Sequence, residues 1–259
     1  MPKTFQNKWA DTPFALIPTP IYQGEDKTDS FVRGASEMAL VHNCIIRGLN
    51  SIYLQAPYLS PSDHADFILY AQGWSGVIHA HHEGEETIIF PTIEEKTGQA
   101  GIMSTNVAQH QAFSTGLSAF DTYLLTPPSD FSGPRLVEII DDFAPSLVTH
   151  LTEEIATLLA LKEYRGSVDI VAIMEAEGEK IMKNINKTLF LSFMAANLDV
   201  TFEDGIHTKF PPAPWFVKFL MHWVWPLPKR RVWRFGSTTP RGVPKELPLA
   251  PKKEEEEGK

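Results

Sequence analysis

Between residues 31 and 163, apolar side chains recur at helical spacing in four long runs, and each run carries a histidine inside its apolar stripe. The first, FVRGASEMALVHNCIIRGLNSIY over 31–53, puts Met38, Ala39, His42, Ile45, Ile46 and Leu49 on one face. YLSPSDHAD supplies a turn and a capping Ser or Asp. The second runs from about Asp63 to Glu95 and aligns Phe67, Tyr70, Trp74, Ile78, His81, Glu85 and Ile88, with Pro91 placed to kink it or end its first part. After the loop EKTGQAG, a third run over 103–125 aligns Val107, His110, Phe113 and Leu117. The breaker LTPPSDFSGP precedes a fourth, 134–163, which aligns Ile139, Phe143, Leu147, His150, Glu154, Leu158 and Leu161. Pro145 inside it is expected to bend or interrupt it. Four amphipathic helices joined by short loops predict an all-α chain built on an antiparallel four-helix bundle.

The bundle is expected over 30–165. An irregular, proline-containing arm precedes it at 1–29. A weaker helical segment follows at 166–200, then a Pro/Trp-rich extension over 201–259 that ends in the solvated charge run KKEEEEGK. At 259 residues, 43% apolar and 21% charged, the chain can bury a sizeable core. Its net charge of −9 disfavours nucleic acid as a partner. The single cysteine, Cys44, excludes a disulfide framework within the chain and a Cys-rich zinc site. The sequence shows neither a signal peptide nor about 18 consecutive apolar residues, so a cytoplasmic protein is expected.

The chemistry lies in the spacing. His81 and Glu85, and likewise His150 and Glu154, are four residues apart, about 40° around a helix, so each pair projects from one face. Burying four imidazoles and two carboxylates in one core without partners would be prohibitive. A cation resolves this by pairing the carboxylates and using the imidazole lone pairs. Six nitrogen and oxygen donors without thiolate exceed what a structural zinc uses. They favour a dinuclear iron centre, with manganese as the usual rival and zinc as a further candidate.

The doubled HH and EE leave a choice of register. His82 and Glu86 repeat the spacing of His81 and Glu85 but are rotated by about 100°. His81 and Glu85 continue the apolar line of Trp74, Ile78 and Ile88, whereas His82 and Glu86 align with Ser75, His79, Ile89 and Phe90. The first pair is therefore assigned inward and the second to the flank, with the reverse assignment left open. Glu86 or Glu153 would suit the orienting of imidazoles.

The set His42-Asn43, HHEGEETIIFP, His110 and HLTEEIATLLAL resembles the hemerythrin family, specifically the hemerythrin HHE cation-binding domain, over about residues 30–165. Its most specific parts are HHxxEExxxFP at 81–91 and HxxxE at 150–154. The resemblance implies a four-helix bundle around a non-haem di-iron centre. It matches His42, His81, Glu85, His110, His150 and Glu154 to ligand positions. Oxygen-carrying members of that family use H-x-x-x-H on the third helix, where this chain has Asn106-x-x-x-His110. Their fourth-helix carboxylate lies five residues on, whereas Glu154 lies four on from His150. Both departures count against reversible oxygen carriage. They suit members that respond to, or react with, iron and oxygen.

Other features take plainer readings. His64 and His79 read as surface residues, Cys44 as a small apolar filler, and His207 and His222 as structural or exposed. The segment WFVKFLMHWVWPLPKRRVW is expected to pack across the bundle as a lid, with contact to an anionic membrane surface as the lesser reading. The leading functional expectation is a di-iron protein that binds or senses oxygen, iron or peroxide. The alternative is a di-iron oxidase or oxygenase acting on a small organic substrate.

Overall fold

The computed structural model describes residues 9–250. Among them the regular structure is helical, apart from one isolated bridge between Thr238 and Pro244. Helix α1 spans Ser30–Gln55 and is capped by Asp29, whose carboxylate accepts from the amides of Phe31 and Val32. Helix α2, His64–Gly84, runs directly into a π turn, Glu85–Ile89, and then into α3, Phe90–Thr97. Pro91 lacks an amide hydrogen and its ring crowds the carbonyl four residues back. The wide turn just before it accommodates both, and the rod continues until Gly98, whose φ of 68° ends it. Helix α4 spans Ser104–Tyr123 and α5 spans Gly133–Ala160. The expected interruption at Pro145 does not occur: α5 passes through it unbroken. A proline removes one intrahelical bond, and the long buried stripe of α5 on either side outweighs that loss.

These rods bury the four predicted stripes against one another. Trp74 shows how closely: its indole lies 5.1 Å from the Phe120 ring and 6.1 Å from Phe143, and its Nε1–H donates to the Ile45 carbonyl at 3.0 Å. Each fully buried side chain of this size contributes roughly 1.5–3 kcal/mol.

The N-terminal arm is held by two asparagines of α1, seven residues apart on one face. Asn43 accepts from the Ile17 amide at 2.7 Å and donates to the Ile17 carbonyl at 2.8 Å, as a neighbouring strand would. Asn50 accepts from the Phe14 amide and donates to the carbonyls of Ala10 and Phe14. Arg47, between them, is buried and paired at 2.9 Å with both Asp11 and Asp199.

The weaker helical segment forms two helices, α6 (Ile170–Asn184) and α7 (Lys187–Asn197). Asn186 divides them, its side chain capping α7 at the Leu189 amide. Helix α6 packs on α1, α2 and the π turn, and α7 packs on α1 and α2. Beyond them, α8 (Trp215–Phe219) continues into a second π turn, Leu220–Val224, and α9 spans Arg230–Trp233. From this extension, Met221, Val232, Trp233 and Phe235 enter the core. Among the described residues no helix is long and apolar enough to cross a membrane. The terminal charge run over 252–259 and the first eight residues of the arm lie outside the described residues.

Candidate metal centre

The six side chains singled out by spacing converge in the bundle core. His42 comes from α1, His81 from α2, Glu85 from the start of the π turn, His110 from α4, and His150 and Glu154 from α5. His42, Glu85, His150 and Glu154 are fully buried, and His81 and His110 nearly so. A seventh joins them. His82, assigned to the flank from the sequence, is buried and stands with Glu85, His110 and His150.

The donors form two groups. In one, His42, His81, Glu85 and Glu154 each bring a donor atom within 4.8 Å of the others; in the second, His82, Glu85, His110 and His150 do the same. Glu85 belongs to both. On a helix it falls about 40° from His81 and about 60° from His82, hence between them. Its Oε1 lies 3.0 Å from His81 Nε2 and its Oε2 lies 3.2 Å from His110 Nε2, one oxygen toward each group. Glu154 Oε2 lies 3.3 Å from His42 Nε2 and 3.9 Å from His150 Nε2.

The inward sector of α2 is wide enough for both histidines, which is why the flank assignment of His82 fails. Ile68, Ser75, His82 and Ile89, seven residues apart, form a second buried line beside Phe67, Trp74 and His81. The polar Ser75 concealed that line in the sequence. Glu86 does point outward, and its Oε1 lies 2.7 Å from His110 Nδ1.

The outer hydrogen bonds set which ring nitrogen faces inward. His42 Nδ1 donates to the Leu151 carbonyl at 2.7 Å, and His110 Nδ1 donates to Glu86. His150 Nδ1 donates to Gln109 Oε1 at 3.3 Å, and Gln109 is itself fixed by donating to Glu153 Oε2 at 2.6 Å. Each of these rings therefore turns its Nε2 inward, where, unprotonated, it could hold a metal. His42 Nε2 faces His81 Nε2 at 3.0 Å, and His110 Nε2 faces His150 Nε2 at the same distance. All four oxygens of Glu85 and Glu154 and Nε2 of His82 are buried without a hydrogen-bond partner. Buried polar atoms left in this state are costly, and a cation in each group would satisfy them. The donors present fit a metal on that ground.

The electrostatics agree. Burial, and then the neighbouring imidazoles, hold His81 and His82 well below the usual histidine range. Burial carries His150 down to about 3, against the opposing pull of Glu154. Burial alone would raise the Glu154 carboxyl, but His42 beside it, with His150 and His81, brings it down to about 2. Burial and the Glu154 charge raise Glu85 well above the carboxylate range.

Two further residues border the centre. Asn106, one turn before His110 on α4, is buried with both amide atoms unpartnered. Glu177 of α6 reaches over Gly84, where a Cβ would come within 2.3 Å of its Oε1, so only glycine admits it. Burial, then the Glu154 charge, raises the Glu177 carboxyl to about 7.

The remaining candidates lie apart. His79 is exposed and paired with Asp121 at 2.6 Å, and His64 bonds the Pro128 carbonyl. His207 pairs with Glu203, which also accepts from the Thr19 amide. Cys44 is buried, and burial pushes its thiol up to about 12. A cavity of about 310 Å³ lies between α7 and the C-terminal extension, lined by Ser192, Trp223, Arg230, Trp233 and Lys245 among others. A smaller one of about 60 Å³ lies between α2 and α6, with Gly84 in its wall. None of the seven donor residues lines either cavity.

The sequence is similar to that of known proteins. The model of the hemerythrin HHE cation binding domain matches residues 33–161. The dimeric xanthone biosynthesis cluster protein R11 of Cryptosporiopsis sp. (strain 8999) is 37% identical over 254 residues, covering 96% of this chain and 95% of the relative. No solved structure matches. With its helices, its paired His/Glu groups and these similarities in agreement, the chain belongs to the hemerythrin HHE cation-binding domain family.

Proposed function

We propose that the chain is a di-iron oxidase or oxygenase acting on a small organic substrate in a biosynthetic reaction. The observation that carries this reading over oxygen or iron sensing is near-full-length similarity to a xanthone biosynthesis cluster protein. On the metal side, Glu85 is common to two donor groups, so it would help hold an ion in each. Nitrogen and oxygen donors without thiolate suit iron, with manganese the rival and zinc a weaker fit. Iron bound there would supply one- and two-electron chemistry with dioxygen.

The chain's own residues prepare the site. The Leu151 carbonyl, Glu86 and Gln109 orient His42, His110 and His150. The rings of Phe113 and Phe90 stand 5.8 Å and 5.6 Å from that of His110 and exclude water from that side. Burial and the Glu154 charge raise the Glu85 carboxyl, so a cation held there would compete with a proton.

Binding or sensing of dioxygen, iron or peroxide is the second reading. It is favoured by the absence of donor residues from the walls of the two cavities described. Anaerobic loading with ferrous iron, followed by oxygen-uptake measurements with and without a hydroxylated xanthone, separates the two. Two irons per chain, and uptake that depends on the xanthone and yields a new product by mass spectrometry, support the enzyme. Reversible oxygen binding with no substrate turnover across a panel of phenolic compounds transfers the assignment to the second reading.

A further inference from the structure

The C-terminal extension carries a charge and an apolar surface that the metal centre does not use. Residues 205–245 hold eight of the chain's 23 Lys and Arg and none of its 32 Asp and Glu. That segment is therefore +8 and the rest of the chain −17, within a net charge of −9. Helix α8 and the π turn after it place their aromatic side chains outward. Trp215 is 80% exposed, Phe216, Phe219 and Trp223 are each about half exposed, and Leu227 is 64% exposed. Met221 is the side chain of this turn that packs inward. The expected lid therefore divides: Val232, Trp233 and Phe235 join the core, while residues 215–227 leave a large apolar face in solvent.

We propose that this face docks on an anionic lipid bilayer, lying in the headgroup region. Exposed patches of this kind mark interaction surfaces. Tryptophan and phenylalanine beside Lys and Arg are the side chains that suit a membrane interface. Lys229 and Arg230 are exposed and have no ion-pair partner among the described residues. Arg231 shares its charge with Asp66, and Arg234 with Asp63. The excess of basic charge in the extension orients the molecule, with Lys229 and Arg230 toward anionic headgroups. Since no described helix can cross a bilayer, the contact is interfacial. A two-fold contact of the face with its own copy would bring the same cations together, which favours lipid over a second chain.

Co-sedimentation of the full-length, metal-loaded protein with phosphatidylcholine vesicles, with and without phosphatidylserine, tests this. Binding is expected only with phosphatidylserine and should weaken as salt rises. Removing two interfacial charges, Lys229→Ala with Arg230→Ala, should lower the partition coefficient about thirtyfold. Trp215→Ser with Phe219→Ser should abolish binding while leaving metal content and helical circular dichroism unchanged, since neither side chain is in the core. Failure of the folded wild type to bind phosphatidylserine vesicles overturns the proposal. So does equal binding to neutral vesicles, or binding that survives both apolar substitutions. Sedimentation velocity runs alongside: a dimer abolished by the two apolar substitutions, with no vesicle binding, assigns the face to a second copy instead.

Discussion

The Nε2 atoms of His110 and His150 face each other at 3.0 Å, on the inner side of rings that are held from outside. Glu86 holds the His110 ring by its Nδ1–H, and Gln109 holds that of His150. The Gln109 amide cannot be turned over, because its nitrogen must donate to Glu153. A cation within reach of both nitrogens would be held by the two rings together.

Glu85→Ala should disturb both donor groups, and changes at either neighbouring histidine should disturb one. Metal analysis after reconstitution is expected to give two ions per chain for the wild type, about one for His81→Ala or His82→Ala, and fewer than one for Glu85→Ala. Each ion present at 100 times its dissociation constant should add about 2.7 kcal/mol to unfolding stability. A His82→Ala protein that retains two ions would remove His82 from the centre.

Glu86 touches the candidate ligand His110 but belongs to neither donor group, so its effect should be graded. Glu86→Ala is expected to weaken metal binding about 10–100-fold in chelator competition. Glu86→Gln, which keeps an acceptor for His110 Nδ1, should restore most of it. Glu153→Ala acts one bond further out, through Gln109, and should cost less than Glu86→Ala.

The metal-free protein should lose stability in acid in two stages. His81, His82 and His150 titrate lower in the fold than in the unfolded chain, His150 at about 3 against 6.5. Below pH 6.5 the unfolded state therefore binds more protons, and stability falls as pH falls toward 3. Glu154, at about 2 against 4.5, adds stability above pH 4.5 that is lost as pH falls toward 2. Glu177 has the opposite sign: raised from 4.5 to about 7, it stabilises below 4.5, and that contribution is lost as pH rises to 7. Urea unfolding across pH should show Glu177→Gln neutral near pH 4 and stabilising near pH 8. A flat difference between the two proteins would contradict the assignment.

Asn106 separates stability from activity. Its amide is buried with no partner, so Asn106→Leu, similar in volume, should stabilise the metal-free protein by about 1–3 kcal/mol in urea unfolding. If the amide serves a small molecule at the centre, the same change should impair oxygen uptake by the loaded protein. A destabilised variant would mean that the amide is already satisfied.

The bundle and the positions of His42, His81, Glu85, His110, His150 and Glu154 were legible because apolar periodicity marks which face of a helix turns inward, and one histidine fell on each marked face. His82 was not legible, because a helix between two neighbours buries two lines and its second line includes Ser75. Glu177 and Gln109 were hidden for another reason. Nothing in a charged or polar stretch of sequence says which other helix will lie against it. The arm offers the same lesson: Asn43 stands beside His42, yet its part in holding Ile17 emerges only once distant segments meet.

A π turn is what a helix keeps when it takes in one extra residue without unwinding. The residues before Glu85 and those after Ile89 are thus in different phases of a single rod. Were the same residues wound as an unbroken α-helix, Phe90 and Ile93 would turn about 100° out of the core while the two histidines upstream stayed in place, so removal of Thr87 should convert the turn to plain α-helix and keep both in the core. The rod is timed to the donors along its first stretch and to hydrophobic packing along its last, and one inserted residue lets a single helix keep both schedules.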